Sequence, residues 1–200
     1  LIYYTIKEAK KSKNISNYIV STDSHKIKKV AEKFKVEVPF IRPKKFSSDN
    51  SSSASALKHA LIQCEKLFNK KFDYIIELMA TNPLKSVTDI NNIIKILLKH
   101  KADSVIAVNQ LLDHHPARIK KIMRGKLYDF SVKERLESRR QDLKPKAYIR
   151  SGSIYAMSRR FIMQEKRYFS GKSFAYILPA ERTINIDDEN DLLIAKIKIK

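Results

Sequence analysis

Glycine is nearly absent from this chain: Gly125, Gly152 and Gly171 are the only three in 200 residues. Loops that hold phosphates on backbone N–H groups lean on clustered glycines, and no such cluster is present. Cysteine is scarcer still, with Cys64 alone. That excludes a disulfide framework and a cysteine zinc cluster, and a small buried hydrophobe on a helix is the expected role of Cys64. No apolar run approaches the ~20 residues that a membrane span needs, so no membrane partner is expected. No charged-then-apolar leader is seen and no methionine precedes Leu1. A cytoplasmic protein is therefore expected, and the sequence reads as one that starts in the middle.

Acids are outnumbered, 21 Asp and Glu against 41 Lys and Arg, for a formal net charge of +20. Such an excess invites a nucleic-acid reading. Yet the lysines are spread over nearly every segment, with no zinc-finger spacing and no RNP-like aromatic motif. No nucleic-acid partner is expected, while a basic surface does suit an acidic substrate.

The chain has enough apolar residues, 43%, to bury the core of one domain over residues 1–200. The order of its segments is legible. Leu1 to Lys13 has helical spacing of Leu1, Ile2, Ile6 and Ala9. Asn17 to Thr22 reads as a buried strand, and Ser24 to Lys35 as a helix carrying Ile27, Val30, Ala31 and Phe34 inward. Val36 to Phe40 is a short strand, and a helix from Ala54 to Lys70 follows a polar stretch. Asp73 to Lys85 runs as a strand, the elbow Ala80-Thr81-Asn82-Pro83, and then a helix with Ser86 as N-cap and Asp89 completing a capping box. That helix continues to His100 through Ile90, Ile93, Ile94, Leu97 and Leu98, and Asp103 to Asn109 is another buried strand. This alternation predicts an α/β fold with a mostly parallel sheet. Ligands of such sheets bind at the carboxyl ends of the strands, so the elbow is the first candidate site.

Other stretches admit two readings on residues alone. Lys44 to Ser55, with Ser51-Ser52-Ser53, is a flexible loop or a binding loop. From Asp113 to Phe130 a charged, alternating ribbon turns at Arg124-Gly125. Its neighbours His114 and His115 point to opposite faces of an extended chain, which disfavours a two-histidine metal site. Arg139-Arg140 is a solvated loop or a site. Asp187-Asp188-Glu189 is the acidic start of a helix from Asn190 to Lys200, with Asp187 as its cap, or a ligand set.

Leu-Met-Ala-Thr-Asn-Pro-Leu-Lys at the elbow resembles the Leu-Gln-Pro-Thr-Ser-Pro-Leu-Arg segment of acylneuraminate cytidylyltransferases, the CMP-sialic acid synthetases, and more closely the branch that activates legionaminic acid. Arg42-Pro43 with Ser47-Ser48-Asp49, Arg139-Arg140-Gln141-Asp142-Leu143 before a Gly-x-Ile-Tyr strand, and Ile184-Asn185-Ile186-Asp187 extend the resemblance over essentially the whole chain. It implies a three-layer nucleotidyltransferase fold, Rossmann-like and of GT-A type, with a dimerisation arm at about 112–146. The implied reaction transfers CMP from CTP to an acidic nine-carbon sugar, a nonulosonic acid, with Mg2+ as cofactor and a homodimer as the working form.

The resemblance also implies residue roles. Arg42, Ser51 and Ser53 match the surroundings of the cytosine. Arg118 and Arg140 match basic groups that face the sugar carboxylate or phosphate. Met79, Thr81, Asn82, Ser151, Gly152, Tyr155, Tyr168 and Phe169 match the sugar site, with Tyr168 and Phe169 against an acyl methyl. Ser151-Gly152 stands where the sialic branch has Asn-Gly. Asp187 matches the second of two metal-binding aspartates, and Asn185 replaces the first. Family members begin with a strand and a Gly-Ser-Lys…Gly-Lys-Asn loop that wraps the triphosphate, and Leu1 resembles the residue after it. A fragment, or a remnant without catalysis, is the resulting expectation. The alternatives are a cytidylyltransferase for pseudaminic acid or KDO, and a non-catalytic basic binding protein.

Overall fold

A computed structural model describes residues 1–48, 50–133, 139–164 and 168–199. The first half is largely helical. Helix α1 (Ile2–Lys11) buries Thr5, Ile6 and Ala9, and α2 (His25–Lys33) starts on the Ser24 side chain, which accepts the Ile27 N–H. Helix α3 (Ser53–Leu67) is capped by the Ser52 hydroxyl, so the serine run ends as a helix cap. Strand β1 (Tyr74–Leu78) leads through the elbow to α4 (Val87–His100), whose start is the expected capping box of Ser86 and Asp89. Lys101 at φ 45° closes α4 in the left-handed conformation, which costs a non-glycine residue some strain.

Strand β2 (Ser104–Gln110) follows, and then the expected ribbon: β3 (Lys120–Met123) paired antiparallel with β4 (Lys126–Asp129). Arg124 and Gly125, both at positive φ, form its turn, as a two-residue hairpin requires. Strand β5 (Tyr148–Ser158), α5 (Arg159–Gln164), β6 (Ser173–Ile177) and α6 (Glu189–Ile199) complete the described elements.

The central sheet has the order β1-β5-β2-β6. β5 is antiparallel to both β1 and β2, while β2 and β6 are parallel. Strands β1, β2 and β6 therefore share one direction and β5 opposes them. The expectation of a mostly parallel sheet holds for those three and fails for β5. Nothing in the apolar pattern of a strand encodes its direction; β5 is set by the arm, which leaves β2 at Gln110 and returns opposite it at Tyr148.

Two expected strands are not strands. Residues 17–22 and 36–41 touch through two isolated parallel bridges, Ile19↔Glu37 and Thr22↔Ile41. The inward set expected for α2 is also reduced, since Ala31 is buried while Ile27 and Val30 are exposed. Ile27 does face inward, onto a cavity that opens beside it.

One core lies between α4 and the sheet, where Ile90, Ile93, Ile94 and Leu97 meet Val105, Ala107, Ile154 and Ala156. A second, smaller one packs Ala54, Leu57 and Leu61 of α3 against Met157, Phe161 and Ile162 on the other face. The result is three layers, helix, sheet and helix. Cys64 is buried on α3 as expected, and burial pushes its thiol up to about 11. No helix among the described residues is long and apolar enough to cross a membrane.

Candidate functional site

The sheet presents the carboxyl ends of β1, β2 and β6 on one side, and the elbow leaves β1 there. Its backbone is held from two directions. The Met79 N–H donates to the Ser153 carbonyl (2.9 Å), while the Lys85 ammonium donates to the Met79 carbonyl (2.5 Å), the Asn82 carbonyl and the Thr5 hydroxyl (3.0 Å). Lys85 is almost fully buried, and burial pulls its pKa down to about 7. Three acceptors around one buried amine pin the elbow to α1. Asn82 is fully buried with neither side-chain amide atom paired, an arrangement that is uncommon in folded proteins.

Beside the elbow, the register of β2 against β5 jumps from Ile106↔Tyr155 to Val108↔Arg150. Residues 151–154 thereby bulge away from β2, as bulges next to sites do. Gly152 sits in the bulge at φ 63°, and a Cβ there would come within 3.3 Å of Asn185 Oδ1. Glycine is required twice over, by conformation and by space. The Ser151 hydroxyl is turned inward and accepts the Ser153 N–H (3.2 Å).

The third segment of this corner is the one before α6. The Ile186 N–H donates to the Thr81 carbonyl (2.9 Å), which brings Asn185 and Asp187 to the elbow. Asn185 Nδ2 donates to Asp187 Oδ2 (2.7 Å), and Asn185 Oδ1 is buried without a partner. Helix α6 is capped by Asp188, whose carboxylate accepts the Asp191 N–H (2.9 Å). The alternative role of Asp187 as the cap is thus excluded, and its carboxylate is exposed at the corner. Among the described residues no group of three or more His, Cys, Asp or Glu is placed to hold a metal ion. One carboxylate and one orphaned amide oxygen nevertheless fit Mg2+, which keeps several waters and takes one or two carboxylates plus substrate phosphates.

On the outer side of β1 a cavity of about 870 Å3 runs between β1 and residues 14–23. Its lining is apolar at Ile6, Ile19, Leu61, Ile75 and Met79 and polar at Arg42, Ser51, Ser53 and Glu77. The Arg42 guanidinium is held by the Ser47 hydroxyl (2.9 Å) and lies 3.6 Å from Asp23. Ser51 donates to the Lys45 carbonyl (2.9 Å), so its hydroxyl is committed to the loop. Glu77 Oε2 accepts from the Tyr168 hydroxyl (2.8 Å), and the Tyr168 ring lies 4.8 Å from that of Tyr155. Burial pushes the Glu77 carboxyl up, against the Tyr168 hydrogen bond and the Arg42 charge. Burial and Glu77 together push the Tyr168 phenol up.

The structure therefore gathers most of the expected residues into two adjoining groups joined by Met79. Arg42, Ser51, Ser53 and Met79 line the cavity, Tyr168 meets it through its hydrogen bond to Glu77 with the Tyr155 ring beside it, and Thr81, Asn82, Ser151, Gly152, Asn185 and Asp187 build the corner. Arg118 and Arg140 lie elsewhere, at the base of the arm. Arg140 bonds Asp113 (2.6 Å), and with Arg118 it holds the Asp113 carboxyl below its usual range. Phe169 is 65% exposed, with no described contact to the Tyr155–Tyr168 pair. Asp49 and Ser138, part of the motifs around Arg42 and Arg140, fall outside the described residues.

Three residues of the site were not singled out from sequence. Glu77 carried a signal, since an acid inside the run Tyr-Ile-Ile-Glu-Leu must find a partner if the strand is buried. Lys85 stands in the elbow motif with nothing nearby in sequence to mark it as buried. The pairing of Arg182 with Asp89 joins residues 93 positions apart and left no local trace.

Residues 1–179 match the family described as Cytidylyltransferase. The chain belongs to that family. A pseudaminic acid cytidylyltransferase of Campylobacter jejuni is 29% identical over 202 residues, covering all of this chain and 85% of the relative. A CMP-N,N'-diacetyllegionaminic acid synthase of the same species is 25% identical, covering all of this chain and 83% of the relative. Among solved structures, a CMP-2-keto-3-deoxy-manno-octonic acid synthetase complexed with CTP superposes with a TM-score of 0.64 at 12% identity, over 99% of this chain and 86% of the other. At that identity the likeness concerns the nucleotidyltransferase fold.

Proposed function

We propose that this cytidylyltransferase transfers CMP from CTP to a nonulosonic acid of the legionaminic or pseudaminic type, releasing pyrophosphate. The observation that carries the proposal is the convergence of residues from five separate segments, around 42, 53, 79, 152 and 187, on the carboxyl end of β1.

In this reaction the anomeric hydroxyl of the sugar attacks the α-phosphorus of CTP. One P–O bond forms, the α–β anhydride breaks, and pyrophosphate leaves. Positioning and charge neutralisation carry most of the rate in phosphoryl chemistry. Arg42 donates to the cytosine acceptors and Ser53 adds a hydroxyl beside it. Met79, Tyr155 and Tyr168 contact the sugar. Asp187, with the Asn185 amide oxygen, would hold Mg2+, which when bound neutralises charge developing on the phosphates. Arg118 and Arg140, at the base of the arm and away from this chain's own corner, would serve the site of a partner subunit. A dimer is part of the reading, because Ile122, Leu127 and Phe130 of the hairpin region are 75%, 67% and 61% exposed, an apolar surface that calls for a partner.

The test is formation of CMP-sugar from CTP and Mg2+ with legionaminic, pseudaminic, sialic and KDO acids as acceptors, read by mass. Product with a nonulosonic acid is expected. The proposal is overturned if no nonulosonic acid yields product.

A further inference from the structure

We propose that Glu77 makes the sugar pocket select a sugar acid bearing a basic nitrogen, a protonated amine, at the substituent that meets Tyr155 and Tyr168. The inference rests on the reading above, in which those two tyrosines line the sugar pocket.

The pleat of β1 places Ile75, Glu77 and Met79 on one face, and the ladder sets Glu77 directly opposite Tyr155. Glu77 Oε2 is occupied by the Tyr168 hydroxyl (2.8 Å), and Oε1 accepts no hydrogen bond among the described residues. It lines the cavity together with Met79 and Ser53. No described lysine, arginine or histidine forms an ion pair with it. Arg42, the cation whose charge bears on it, is engaged by Ser47 and Asp23.

A carboxylate within a sheet is costly unless a cation or several donors meet it, and here one phenol does. What the pocket lacks is a positive charge. Two aromatic rings at an interplanar angle of 51° beside a carboxylate with a spare oxygen form the recognition set for an organic cation, by charge-assisted hydrogen bonding and by ring faces. A methyl-ended acyl group in the same place would strip water from Glu77 and return no hydrogen bond.

The probe is a pair of nonulosonic acids of one skeleton, one N-acetylated and one carrying the free amine, titrated calorimetrically into the full chain and its Glu77→Gln and Glu77→Leu variants. Wild type should bind the amine at least tenfold more tightly than the acetamide. Glu77→Gln, nearly isosteric, should bring the two within threefold, and Glu77→Leu should reverse the order. Equal binding by wild type, or an amine preference that survives in Glu77→Gln, overturns the inference while leaving the cytidylyltransferase reading intact. If wild type binds neither sugar but binds CTP, the assignment of a nonulosonic acid falls, and the inference with it.

Discussion

Asp89→Asn perturbs the joint that holds the corner of the site to the body of the domain. Asp89 is fully buried. Its carboxylate accepts from the Ser86 N–H (2.9 Å) and hydroxyl (2.8 Å), from Arg182 Nε (2.9 Å) and Nη2 (3.0 Å), and from the Tyr176 hydroxyl (2.8 Å). The start of α4, strand β6 and the turn before Asn185 thus share one charge. Burial pushes the carboxyl up, but Arg182, Ser86 and Tyr176 outweigh it and hold the group below the usual carboxylate range. Asparagine keeps the shape, gives up the charge and one acceptor, and leaves Arg182 only the exposed Glu181 carboxylate (3.1 Å) as an ionic partner. Removing one member of a buried pair costs ~3–5 kcal/mol, and the retained amide should keep the loss near the lower end. At ~2–4 °C per kcal/mol for a chain of this size, the melting temperature should fall by roughly 6–12 °C at neutral pH.

The pH dependence has a definite sign. A carboxyl with a depressed folded pKa stabilises above its unfolded pKa and loses that stabilisation as pH falls through the folded value. The gap between wild type and Asp89→Asn should therefore close on acidification below about pH 4, near the unfolded aspartate value. Circular dichroism melts of wild type, Asp89→Asn, Arg182→Met and the double variant supply both tests. A drop under 2 °C at pH 7, or strictly additive effects of the two single changes, would refute the reasoning.

Three further outcomes are expected. Asp187→Asn should abolish magnesium-dependent turnover while Asn185→Asp keeps it or tightens Mg2+ binding, and normal turnover in Asp187→Asn would leave the metal role without support. Deleting residues 120–129 should turn a dimer into a monomer by light scattering at micromolar concentration, whereas a dimer unchanged by the deletion assigns the interface elsewhere. Met79→Gln should shift kcat/KM from legionaminic toward sialic acid by about tenfold to a hundredfold, the worth of one buried hydroxyl regaining a partner at ~1–3 kcal/mol; no shift removes Met79 from sugar selection.

Local chemistry was readable in advance where it depends on neighbours in sequence. The Ser86–Asp89 capping box, the helix from α4's Ile90 to Leu97, the Arg124-Gly125 turn and the opposite fates of His114 and His115 all follow from spacing within a few residues. His115 is buried, accepting the Ala117 N–H and meeting the Pro145 carbonyl (2.9 Å), while His114 is exposed. The motifs that resemble the family likewise named most residues of the corner and several that line the cavity, because each motif is a short run.

The alternation of elements, the caps and turns, and the family in which the motifs belong all follow from runs of neighbouring residues. Tertiary structure alone decided the direction of β5, since an apolar run is the same read as a parallel or an antiparallel strand. It also decided that residues 17–22 and 36–41 meet at two bridges rather than in a ladder, because strand pairing depends on what lies beside a segment. And it decided which charges are buried. Glu77, Lys85 and Asp89 each take their buried character from a partner 91, 80 or 93 positions away, a relation that only the packed fold creates.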